Sequence, residues 1–92
     1  MSCYIIGCGL REPGRDYIDL VEAIEHLGSA AWPCLEATWV VNSDKTATQI
    51  RDALKSFLAA GDDLIVAELT GTAAWRGLQG GSAEAFKSVL AG

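Results

Sequence analysis

This chain is poor in the residues that most catalytic and metal-binding sites are built from. It has one histidine, His26, and three cysteines, Cys3, Cys8 and Cys34, with no CxxC pair among them. An odd set without that pairing fits a cytoplasmic compartment, and with His26 as the one further soft ligand no zinc site is expected. On a strand, Cys3 and Cys8 point to opposite faces, and all three thiols read as small buried apolar side chains. A single histidine on the polar side of a helix supports neither a Ser-His-Asp set nor a Cys–His nucleophile pair. Basic residues are also short, seven Lys and Arg against 12 Asp and Glu, and a net charge of −5 disfavours non-specific binding to nucleic acid. No apolar run approaches the roughly 20 residues needed to span a bilayer. The opening residues Met1-Ser2-Cys3-Tyr4 lack the basic flank and cleavage pattern of a signal peptide. A cytoplasmic protein without membrane contact is expected.

What the chain does have is apolar substance, half its residues, which excludes disorder for most of the length. Neither a linker nor an internal repeat divides it, so residues 1–92 read as a single domain. Three stretches, residues 4–8, 38–41 and 64–69, have strand composition without clean alternation: Ile5 beside Ile6, Trp39 beside Val40 and Val41, and Leu64 to Ala67 in one run. A strand with one wet face alternates, so both faces of this sheet read as covered.

Between the strands, residues 15–27 place Tyr17, Leu20, Val21, Ile24 and Leu27 on one helical stripe. Gly28 follows where a left-handed cap fits. Residues 30–37 form a weaker strand, which Pro33 assigns to an edge. Thr46 and Gln49 have the spacing of a capping box, and the helix they open carries Ile50, Leu54, Phe57 and Leu58 on one face. Residues 62–70 form the last strand. A glycine-bearing loop, 71–81, leads to a short third helix capped by Ser82, with Phe86, Val89 and Leu90 as its stripe.

The order β-α-β-β-α-β is that of a ferredoxin-like α+β sandwich, a four-stranded antiparallel sheet with helices on one face, plus a short C-terminal helix. Right-handed crossovers make the first and third strands central and leave the second face of the sheet to something outside the chain. The expected cover is a second copy, with Ile5, Trp39, Val41, Ile65 and Leu69 as the candidate dimer interface. Trp32, Trp39 and Trp75 read as core or interface packing, because basic residues do not interleave them as a stacking platform for nucleic acid requires.

The segments Tyr4-Ile5-Ile6-Gly7, Glu12-Pro13-Gly14, Asp16-Tyr17 and Leu20-Val21-Glu22-Ala23-Ile24 resemble the small bacterial SinR-family proteins. Thr38-Trp39-Val40-Val41, Ala47-Thr48-Gln49-Ile50-Arg51 and Leu64 to Gly71 with Trp75 extend the resemblance over roughly residues 4–78. That group is similar in fold to the CRISPR-associated adaptation protein that partners the spacer integrase, and more distantly to virulence-associated protein D. The resemblance implies a ferredoxin-like homodimer and, in some relatives, a metal-dependent nuclease whose Asp closes the first strand. Here the matching pair is Cys8-Gly9, and neither a thiol nor a hydrogen replaces a hard oxygen ligand for Mg²⁺.

No catalytic residue, metal site or cofactor is therefore assigned. The expected function is a non-enzymatic homodimeric assembly or regulatory module, with another protein as a further partner. One alternative is a Mg²⁺-dependent nuclease using Asp16 or Glu12, although an Asp in a helix's first turn ordinarily serves the helix dipole. The other is a catalytically silent nucleic-acid binder using Arg11, Arg15 and Arg76.

Overall fold

Strand β1 (Ser2–Gly9) lies at the heart of a computed structural model that describes residues 2–11, 17–28, 30–35, 37–70, 73, 74 and 76. Glu12, Arg15, Asp16, Trp75 and the C-terminal helix expected after Ser82 fall outside the described residues. The elements that follow β1 are α1 (Ile18–Glu25), β2 (Ala30–Leu35), β3 (Thr38–Ser43), α2 (Ala47–Leu54) with a 3-10 turn (Lys55–Phe57), and β4 (Asp63–Leu69). The sheet runs β2-β3-β1-β4, and β1 pairs antiparallel with both neighbours. This is the ferredoxin-like α+β sandwich, with β1 and β3 central as the two split βαβ units require.

Register decides which side chains share a face. Tyr4 lies opposite Val41, and Ile6 opposite Trp39 and Val66. All five pack under the helices, where Leu20 and Ile24 of α1 meet Ile50 and Leu54 of α2. Trp39 and Val41 are thus core residues, buried within one chain, and not available to a second copy as the sequence suggested. Successive side chains on a strand alternate, so Ile5, Val40, Ile65, Ala67 and Leu69 point the other way.

That second face is not uniformly open either. Val40 is fully buried, Asn42 is 2% exposed and Cys3 is buried, all within the single chain. The expectation of a wholly uncovered face is corrected at its centre. Its rim is different, with Ile65 at 68% exposure and Leu35 at 63%.

Local chemistry fixes the joints. The Thr46 hydroxyl accepts from the Gln49 N–H at 3.1 Å, and the Gln49 amide oxygen accepts from the Thr46 N–H at 2.9 Å, completing the capping box. Helix α1 ends at His26 with an ordinary φ of −95°, and Gly28 does not take a left-handed conformation. The glycine serves close approach instead, because a Cβ there would lie 1.7 Å from the Asn42 carbonyl oxygen. Beside it the buried Ser43 hydroxyl donates to the Leu27 carbonyl at 2.7 Å and accepts from the Lys45 N–H at 3.1 Å. The Tyr4 hydroxyl donates to the Lys45 carbonyl at 2.7 Å. Together these bonds pin the end of α1, the end of β3 and the start of β1.

Gly28→Ala is expected to lower unfolding stability by about 2 kcal/mol or more, because backbone must shift to admit a methyl group. Thr46→Ala should cost only about 1 kcal/mol, the usual loss for a cap. Urea denaturation midpoints check the ranking.

Candidate functional site

Two places could carry function: the C-terminal end of β1, and the outer edge of β4. At the first, Asp62 is the organising group. Its Oδ1 accepts from the Arg11 N–H at 2.8 Å, and its Oδ2 accepts from the Tyr17 hydroxyl at 2.9 Å and from the Ala59 N–H at 2.8 Å. One carboxylate therefore ties the β1–α1 connection, the start of α1 and the turn before β4. Asp63 opens β4 and is exposed, whereas Asp62 just before it is half-buried. Nothing in the local pattern distinguishes them; the difference arises because Tyr17, 45 positions away, folds back onto one and not the other.

Cys8 sits beside this group. Burial, and then the negative charge of Asp62, push its thiol above the ordinary range. The thiol is held protonated at neutral pH, the opposite of what an activated nucleophile needs. Cys3 is pushed up by burial alone. His26 is exposed at the far end of α1, its Nδ1 2.7 Å from the Glu22 carbonyl oxygen, so the structure does not join it to Cys8. Among the described residues no group of three His, Cys, Asp or Glu side chains is placed to hold a metal ion.

Of the candidate nucleic-acid contacts, the Arg11 guanidinium is paired with Asp63 at 2.8 Å, both side chains being well exposed, and Arg76 is exposed. A carboxylate at that distance offsets much of the attraction an arginine offers a phosphate.

The second place is built from β4. Among the described residues this strand has no neighbour on its outer side. It carries no proline and no lysine, and its rim residues Ile65 and Ala67 are exposed. Alongside it runs a groove of about 310 Å³, lined by Leu64, Ile65 and Val66 of the strand and Ala47, Thr48 and Arg51 of α2. The groove lies between α2 and β4. The Arg51 guanidinium lies at its rim, 3.0 Å from the Asp52 carboxylate and largely exposed.

Of the five residues expected at a dimer interface, the structure therefore places Ile5, Ile65 and Leu69 on the face away from the helices, with Ile65 the most exposed, and moves Trp39 and Val41 to the core. Arg51 and the groove were not legible beforehand, since they depend on α2 packing beside β4. No family model, curated protein or solved structure matches the chain.

Asp62→Asn removes the charge that adds to burial at Cys8, so the Cys8 thiol should titrate at lower pH and alkylate faster at a fixed mildly alkaline pH. Alkylation followed by mass spectrometry of the Cys8 peptide reads this. The native thiol holds its proton to higher pH than the unfolded one. The corresponding stability is complete below the ordinary thiol range and is lost as pH rises through the raised Cys8 value.

Proposed function

We propose that the protein is a homodimeric assembly module that works through contact rather than catalysis. The observation that carries this reading is Ile65, a large apolar side chain 68% exposed on a sheet edge that has no neighbouring strand among the described residues. Single exposed apolar residues are ordinary on a monomer. Ile65 differs because Ala67, two residues on, is exposed, Leu69 is half-buried and, among the described residues, no strand pairs with the outer edge of β4. An exposed edge of this kind, without proline, lysine or a bulge, is a template for pairing with another chain.

The chemistry at the end of β1 supports the same reading. The position that an Asp occupies in metal-dependent nucleases of similar fold carries a protonated thiol, and the adjacent Asp62 spends both oxygens on structural hydrogen bonds. A role beside a nucleic-acid-processing partner, as the SinR-like resemblance implies, fits a module that contributes contact surface and leaves the chemistry to its partner.

Covering the exposed part of Ile65 contributes about 1–2 kcal/mol, and a symmetric contact does so on both copies. Sedimentation equilibrium of the full chain at micromolar concentration should show a dimer. Ile65→Lys should shift it to monomer while the far-UV circular dichroism spectrum stays that of the folded chain, because the side chain is exposed within one chain. A wild-type chain that is monomeric throughout that range overturns the proposal.

A further inference from the structure

The β4 edge carries more than an apolar rim, and its charges select a particular way of pairing. We infer that two copies join by antiparallel pairing of β4 with β4 about a twofold axis at Val66, with Glu68 of each copy seated beside Arg51 of the other. This rests on the dimer reading above and specifies its geometry.

Val66 is the midpoint of Asp63–Leu69, so a twofold there pairs all seven residues of the strand. Ile65 then meets Ala67 of the second copy, Leu64 meets Glu68, and Asp63 meets Leu69. Paired residues in an antiparallel sheet share a face. Ile65 and Ala67 therefore cover one another on the side away from the helices, removing the most exposed apolar side chain of the sheet from water.

On the helix side the match is electrostatic. Glu68 lies opposite Tyr4 in the register with β1, and Tyr4 belongs to the helix-side core, so Glu68 projects on the side of α1 and α2. It is exposed. Placed across from Leu64 of the second copy, Glu68 arrives at the groove that Leu64 and Val66 share with Thr48 and Arg51. Arg51 already has Asp52 at 3.0 Å, and an arginine's planar fork of donors can serve two carboxylates at once. The twofold makes this contact twice.

Two other registers bring like charges together. Centring the axis on Ile65 would set Glu68 against Asp62, and centring it on Glu68 would set the two carboxylates directly opposite each other. Like charges facing across a sheet are destabilising. The opposite edge, β2, offers no equivalent template, because Pro33 lacks a donor and the register with β3 shifts between Pro33 and Leu35.

The test is a charge swap read by sedimentation equilibrium on the full chain. Glu68→Arg and Arg51→Glu should each weaken the dimer by about tenfold, since each reversal acts twice across the axis. The double variant should recover wild-type affinity to within about threefold, and raised salt should weaken wild type but not Glu68→Gln. Circular dichroism confirms that the variants fold, and the neutral variants Glu68→Gln and Arg51→Gln, each expected to weaken the dimer about threefold, replace any reversal that does not. If the wild type dimerises and neither the reversals nor the neutral variants change its affinity, this geometry is wrong and the dimer reading stands. If the wild type is monomeric, both fall.

Discussion

Strand β1 is hydrogen-bonded on both of its edges, and the rest of the molecule follows from that position. With β3 on one side and β4 on the other, β1 can offer only its two faces, and its sequence divides them: Tyr4, Ile6 and Cys8 beneath the helices, Cys3 and Ile5 away from them. The helical stripes of α1 and α2 close over the first set. The connection that leaves β1 must then return over the sheet, and Asp62 secures that return by gathering Arg11, Tyr17 and Ala59 onto one carboxylate. The same geometry places Cys8 beside a negative charge in a partly dry setting, so a structural fastening and an unreactive thiol have one cause.

Much of this is written locally. The Thr46–Gln49 capping box follows from spacing alone, and its two hydrogen bonds form as that spacing requires. The stripes of both helices and the central positions of β1 and β3 are likewise set by periodicity and handedness, and Pro33's missing donor sets its strand at an edge. Other features depend on residues far apart in the chain. Gly28 follows a helix and so resembles a cap, but its reason is the Asn42 carbonyl, which reaches it only after β3 is in place. Trp39 and Val41 are equally apolar to Val40, and which of the three turns inward is a matter of register, not composition. A strand that lacks alternation hides its phase. The partial cover of the second face, with Asn42 at 2% exposure, is another such feature.

The candidate site divides the same way. The apolar run of β4 is visible in the sequence, and so is a thiol, Cys8, near the end of β1. Arg51, by contrast, reads as an ordinary solvated helix residue. It becomes part of a groove only because α2 crosses back beside β4.

Pro33 has a consequence at a larger scale. A sheet with two free borders can add copies at both and grow into a fibre without limit. Here one border is interrupted by a ring nitrogen that cannot donate and by a slip in register at the following residues. A second copy aligned with β4 would leave only such interrupted borders facing outward, so accretion would halt after one step.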